Sequence, residues 1–260
     1  MKTKNSLRKY FCEIKSICIY DIRQSLKALV LSFTLLTVTA AFWSCKKSND
    51  KKAECKIIAA SIPSLGVLFN FSYNNNGKLT RISAGRNFTT FDYPAENTVI
   101  ATTLDSGRFQ SKRIINVNAA GLATNVRIEN NAAGTLFINN SFEYSGEELM
   151  KSRSTSSSDP NPRITTFTWV NGNLITITSG GAIIETRDYF TDKPRQIGDF
   201  FSFSEFIQGF ETVRTKNLVK STSGTNFTYE FGGPAGNISS LQTISPGGNR
   251  DIIDYQYECK

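Results

Sequence analysis

No histidine occurs anywhere in the 260 residues. This removes Ser-His and Cys-His nucleophilic pairs and every imidazole-based metal site. There is no G-x-S-x-G elbow, P-loop or EF-hand spacing either, so neither a metal nor a cofactor is expected. The remaining option for catalysis is a carboxylate pair of the kind that hydrolyses glycosides. Its candidates are Glu185, Asp188, Asp192, Asp199, Glu205 and Glu211, and they read more simply as solvated acids at turns and a helix cap. Glu147-Glu148 falls in a hairpin turn and reads as solvent-facing.

Also missing is an apolar run long enough to span a bilayer comfortably, for which ~20 residues are needed. Residues 28–43, from Ala28 to Trp43, are uncharged and mostly apolar but stop short of that length. They follow a basic stretch and suit the core of a signal peptide. Ser44-Cys45 comes next, then Lys46-Lys47-Ser48-Asn49-Asp50-Lys51-Lys52. A small residue before a cysteine at the end of such a run resembles a bacterial lipobox. That resemblance implies cleavage before Cys45, acylation of its thiol with palmitate-type chains, and a membrane partner held through lipid. Phe42 stands where the lipobox usually has Leu, and the leader is long; an uncleaved signal anchor is the alternative. Residues 1–44 are thus read as signal peptide, 45–54 as lipidated tether and 55–260 as one β-rich domain.

The formal charge of +8 invites a nucleic-acid reading, and its distribution removes it. Seven Lys/Arg lie in residues 1–44, leaving 23 basic and 20 acidic side chains from Cys45 onward. The excess belongs to the leader, so nucleic acid is not an expected partner. Cysteines are few. Cys12 and Cys18 lie in the leader and Cys45 is assigned to lipid, which leaves Cys55 and Cys259. An even pair in an exported chain reads as a disulfide. It requires the first and last strands to be near neighbours; two separate buried thiols are the alternative.

Aromatic residues are plentiful and patterned. Phe69, Phe71 and Tyr73 alternate with polar residues and share one face of a strand. Asn74-Asn75-Asn76-Gly77 supplies a turn, and Leu79 and Ile82 resume an apolar strand. Phe142-Glu-Tyr144 before Gly146 and Leu149 repeats the unit, as do Phe167-Thr-Trp169 before Gly172 and Leu174, and Phe227-Thr-Tyr229 before Gly236 and Ile238. Asn171-Gly172 is the strongest hairpin signal, a type I′ turn that places Trp169 opposite Leu174 and Thr168 opposite Ile175. Apolar residues on both faces predict that this hairpin is covered on both sides. Pro94 to Asn97 and Asp192-Lys193-Pro194 read as turns, and Ser152 to Pro162 as an exposed loop. Phe203, Phe206, Ile207 and Phe210 have helical spacing behind a Ser202–Glu205 capping box, predicting a short helix near 203–210 that plugs the sheet.

These units predict an all-β fold: a large antiparallel meander of hairpins forming a curved sheet or half-barrel. The pattern aromatic-x-aromatic, Gly, Leu, as in Tyr73-Asn-Asn-Asn-Gly-Lys-Leu-Thr-Arg-Ile82, resembles the YD (Rhs-type) repeat. With the lipobox, residues 55–260 resemble the β-rich exported lipoproteins of Gram-negative bacteria, among them a domain of unknown function with a porin-like fold. The resemblance implies an outer-membrane or cell-surface location and brings no catalytic residues with it. A transmembrane barrel is disfavoured, because Thr, Asn and Ser recur on both faces. The reading is therefore a non-enzymatic envelope protein that binds a glycan or another envelope component, with Tyr73, Tyr144, Trp169 and Tyr229 as a candidate stacking platform. A periplasmic acyl carrier and a carboxylate-dependent glycosidase are the alternatives.

Overall fold

The computed structural model describes residues 55–260; the leader, Cys45 and the tether lie outside the described residues. The described residues form sixteen antiparallel strands: β1 (Cys55–Ile62), β2 (Val67–Tyr73), β3 (Leu79–Ala84), β4 (Asn87–Ala95), β5 (Thr98–Asp105), β6 (Arg108–Val117), β7 (Ala123–Glu129), β8 (Phe137–Ser145), β9 (Glu148–Ser156), β10 (Arg163–Val170), β11 (Asn173–Ser179), β12 (Ala182–Pro194), β13 (Asn217–Thr222), β14 (Thr225–Glu230), β15 (Ser240–Ile244) and β16 (Arg250–Cys259). Each strand pairs with its sequence neighbours, and β16 returns to pair with β1, so the sheet is a closed barrel. The predicted curved sheet goes further than expected and leaves no free edge.

One helix, α1 (Phe200–Gln208), interrupts the meander between β12 and β13. It starts three residues earlier than the spacing predicted and ends two earlier. Its cap is also different. Asp199 accepts from the N–H groups of Phe201 and Ser202, so the Ser202–Glu205 capping box does not form. The helix ends at Gly209, whose φ of 83° is left-handed.

Successive strands alternate in direction, so the connections fall on two rims. The upper rim holds the β2–β3, β4–β5, β6–β7, β8–β9, β10–β11, β12–β13 and β14–β15 connections together with Cys55 and Cys259. The lower rim holds the other hairpin turns. The inward apolar positions Ile57, Phe71, Ile82, Phe91, Ile115, Val126, Leu241 and Tyr255 are buried in one cluster with the helix residue Phe203, and on β14 and β16 the same lining continues toward the lower rim at Phe227 and Ile253. Phe203 packs edge-on to Phe69, Phe71 and Tyr255, which places α1 inside the lumen. Elsewhere toward the lower rim the inward positions turn polar. Thr89 and Thr103 share a hydrogen bond of 2.9 Å, and Arg113 donates to Thr103. Arg187 pairs with Glu185 at 2.5 Å and stacks on Phe201.

A repeated latch explains the aromatic pattern. Tyr73, Tyr144 and Trp169 each face a leucine across an upper-rim hairpin, Leu79, Leu149 and Leu174. In each case a β-bulge lies beside the aromatic residue, and a bulge re-aims the side chain that follows it. The ring then reaches back to the preceding odd-numbered strand or, for Tyr257, to the segment just before β15. Tyr73 donates to the carbonyl of Ile57, Tyr93 to Leu79, Tyr144 to Ala123, Trp169 Nε1 to Leu149, Tyr189 to Leu174, Tyr229 to Val219 and Tyr257 to Ile238. The leucine facing one ring thus supplies the carbonyl for the next. β6 breaks the series: Val117 occupies the position and has no donor.

Four local expectations are corrected. Thr168 pairs with Thr176, not Ile175, because the bulge before Trp169 uses one residue. The β10–β11 hairpin is covered only on its inner side, and Val170 is 52% exposed. Residues Ser152–Ser156 belong to β9 rather than to a loop, and Asp192-Lys193-Pro194 completes β12 rather than turning. Serine-rich β9 is a strand because Ser152 and Ser154 face the polar half of the lumen, paired with Thr165 and Arg163. At the Asn171-Gly172 turn, φ is 52° and 78°, the geometry a type I′ turn needs.

Candidate functional site

The β12–β13 connection builds the upper mouth. Arg195 leads into α1, which descends among the aromatic rings; the strap Gly209–Lys216 then crosses back over the rim. Glu205 holds the strap from below, its Oε1 accepting from the N–H groups of Thr212 and Val213 at 2.9 and 3.1 Å and from the Thr212 hydroxyl. Further along, the Ala123 N–H donates to the Glu211 carbonyl, and the Lys216 N–H donates to the carbonyl of Gly172. Val213 is buried against Leu149, Leu174 and Ile177. Burial pushes the Glu205 carboxyl up to about 7, against the pull of its Thr212 and Val213 donors. Its Oε2 is buried without a hydrogen-bond partner among the described residues.

Two adjoining cavities flank α1. The larger, about 610 Å³, has an apolar floor of Ile57, Tyr73, Phe203 and Phe206, and its rim carries Lys56, Arg195, Arg214, Lys216 and Glu211. The smaller, about 430 Å³, is walled by Leu79, Phe91, Tyr93, Val99, Phe206 and Phe210, with Lys78, Glu96 and Glu205 among its polar groups. Arg195, Ser202, Phe206 and Glu211 line both. Arg195 donates to the Ser202 hydroxyl at 2.7 Å and pairs with Glu211 at 2.5 Å, a buckle between the two spaces. Arg214 pairs with the other oxygen of Glu211 at 2.6 Å and with Glu147 at 3.0 Å. These contacts, above all the hydrogen bond to Glu211, raise the pKa of Arg214.

The residues singled out from sequence are placed as follows. Tyr73, Tyr144, Trp169 and Tyr229 lie on different strands with their polar tips on backbone carbonyls, so they form no shared stacking platform. Burial raises the Tyr73 hydroxyl to about 12. Of the six acids, Glu185 pairs with Arg187, Asp188 accepts from Ser221 on the outer wall, Asp192 is exposed, Asp199 caps the helix, Glu205 anchors the strap and Glu211 holds two arginines. Asp199 also accepts from the Val219 N–H, and burial raises its pKa despite these donors. Glu147 is not merely solvated, since Arg214 reaches it. Cys55 and Cys259 are joined by a disulfide at the β1–β16 seam. Among the described residues no group of three or more His, Cys, Asp or Glu side chains could hold a metal. The rim cations carry no sequence signal, because they come from β1, the β2–β3 turn, the segment entering α1 and the last residues of the strap.

The interlocked aromatic-turn-leucine units have a counterpart among known families: the Teneurin YD-shell model matches residues 16–260. The chain belongs to the Teneurin YD-shell family. This YD-shell chain is also similar in fold to a porin-like protein from Bacteroides uniformis ATCC 8492, known from its crystal structure. The TM-score is 0.53 at 15% identity, covering 74% of this chain and 91% of that one. No curated protein matches the YD-shell chain.

Proposed function

We propose that this YD-shell chain is a non-enzymatic, lipid-anchored envelope protein, and that its barrel is a water-facing shell whose upper mouth binds a ligand with an apolar body. The observation that carries the reading is the mouth itself, two adjoining spaces with aromatic and aliphatic walls beneath a cationic rim. Cavities of this size lie within the roughly 300–1,000 Å³ range of small-molecule sites. The outer wall supports the water-facing part. Lys112, Arg127, Arg153, Asp188 and Asp254 all point outward from the strands, and charges on the lipid face of a membrane barrel are costly.

The acyl-type ligand is favoured over a glycan for a specific reason: the rings offered for sugar stacking face inward and are tied to the sheet. Anchoring rests on the Ser44-Cys45 signal, and export to an oxidising compartment is supported by the even pair Cys55 and Cys259. Two measurements on protein from its own host test the reading. Native mass spectrometry is expected to find a co-purifying apolar ligand. Cys45→Ala is expected to abolish fatty-acid labelling and to release the protein from membranes. A ligand-free barrel would remove the binding reading, and membrane attachment without label would replace the lipid anchor by an uncleaved signal anchor.

A further inference from the structure

We propose that the larger mouth cavity binds a single-chain long carboxylate, with the head held by Lys56 and Lys216 and the chain lying along Ile57, Tyr73, Phe203 and Phe206. This rests on the reading of the upper mouth as a ligand site and adds the ligand's chemistry. The charges of the lining decide the head. Lys56, Arg195, Arg214 and Lys216 face this space with Glu211 as its lone acid. Both arginines are committed to Glu211, and Arg214 to Glu147 as well. Lys56 and Lys216 have no ion-pair partner among the described residues; Lys56 rests its ammonium 5.5 Å from the Tyr73 ring centroid. An unneutralised ammonium over the Tyr73 ring, with a second unpaired lysine, Lys216, in the lining of the same space, matches an anion joined to hydrocarbon. A neutral amphiphile would leave both without a partner, and a sugar would leave its hydroxyls against Phe203 and Phe206.

Volume decides the tail. At roughly 30 Å³ for a group the size of a water molecule, 610 Å³ accommodates one long chain with a compact head and not two chains. The carboxylate is the compact anionic head. Tyr73 is held in place by its bond to the Ile57 carbonyl, so the floor is formed before any ligand arrives.

The test uses the disulfide-intact protein stripped of lipid, with isothermal titration of hexadecanoate, hexadecyl phosphate, hexadecanol and acetate. Hexadecanoate is expected to bind, with hexadecanol about tenfold weaker or worse, the scale of a charge-assisted contact. Acetate is expected not to bind, since it lacks the tail. The Lys56→Met/Lys216→Met double variant is expected to bring hexadecanoate down to the level of hexadecanol while leaving hexadecanol unchanged. Lys220→Met, on the outer wall of β13, is expected to change neither. Melting curves show whether the double variant is folded; if it is not, the ratio of hexadecanoate to hexadecanol on the unaltered protein decides. Equal binding of hexadecanoate and hexadecanol overturns the anionic head and leaves the mouth reading standing. Hexadecyl phosphate binding tighter than hexadecanoate overturns the carboxylate in favour of a phosphate head. If no amphiphile binds, both this inference and the mouth reading fall.

Discussion

The two rims of the barrel are made from the same hairpins but are held in different ways. At the upper rim, tyrosine hydroxyls and one indole N–H bind carbonyls in or just before the preceding odd-numbered strand, bulges aim the rings, a helix fills the lumen and a disulfide closes the seam. At the lower rim, turns such as Ser106-Gly107 and Gly180-Gly181 join strands whose inner faces carry threonine, serine and arginine. Side chains near the upper rim exclude water, whereas those near the lower rim are half-buried and bond to one another. One face pattern therefore serves two purposes. Apolar inward residues build a plug with a binding mouth, and polar inward residues keep strands paired without a hydrophobic core. Local stability should be graded from top to bottom, and each prediction below probes that gradient.

The largest effect is expected at the seam. Cys55→Ser/Cys259→Ser opens a loop with a sequence separation of 204. Its loss is expected to cost on the order of 5 kcal/mol by the chain-entropy model, measured by urea denaturation. A loss under 1 kcal/mol would show that strand pairing alone holds the seam.

Next is the helix exit. Gly209 has φ of 83°, and a Cβ there would run into the Phe91 ring. Gly209→Ala is expected to destabilise the fold by about 2–4 kcal/mol, combining left-handed strain with overpacking. Gly107→Ala at the lower rim, also at positive φ but with open space around it, is expected to cost about 1 kcal/mol. Equal losses at the two sites would erase the contrast between the rims.

A smaller change tests one latch. Tyr144 reaches the carbonyls of Ala123 and Thr212. Tyr144→Phe keeps the ring and removes both bonds, with an expected loss of about 1–2 kcal/mol. Amide exchange is expected to accelerate first in β7 and β8 near the upper rim; uniform acceleration around the barrel would mean the latches do not act locally.

The smallest effect is a pH slope. The folded value of Glu205, about 7, lies above its ordinary value of 4.5. The folded state therefore binds more protons than the unfolded state between these values, and stability falls as pH rises from about 4.5 to about 7. Burial is the chief cause, and the nearby Glu211 carboxylate adds to it. Asp199 contributes with the same sign. The melting temperature of the native protein is expected to decline across that window, and Glu205→Gln to flatten the decline. An unaltered slope in the variant would assign the effect to Asp199.

Hairpins were legible because aromatic, glycine and leucine recur at fixed spacing around each upper-rim turn. The helix was legible from Phe203, Phe206 and Ile207, but its start was not: Ser202 and Glu205 satisfy the spacing of a capping box that Asp199 pre-empts by capping three residues earlier and taking the Ser202 N–H. Glu205 is then free to hold the strap. Closure could not be read from a period of two, which says which way a side chain points and not which strands meet. Ser152–Ser156 escaped notice because strands facing a polar lumen lack the apolar alternation that identifies a half-buried strand. The mouth was invisible for a different reason. Lys56, Lys216 and Phe206 are distant in sequence and share no spacing; only the return of the strap to the rim assembles them.

The seam has a consequence for the chain's behaviour under reducing conditions. Every other upper-rim neighbour pair is joined by peptide, and β16–β1 is joined by sulfur. Where thiols are kept reduced, that junction alone becomes hydrogen-bonded and separable. A parted ring becomes an arc with two free edges, each a row of unsatisfied amides ready to pair with another copy. Oxidation at Cys55 and Cys259 therefore guards against chain-to-chain β-pairing as well as against unfolding. Reduced protein is expected to be lost to aggregation before it is lost to denaturation.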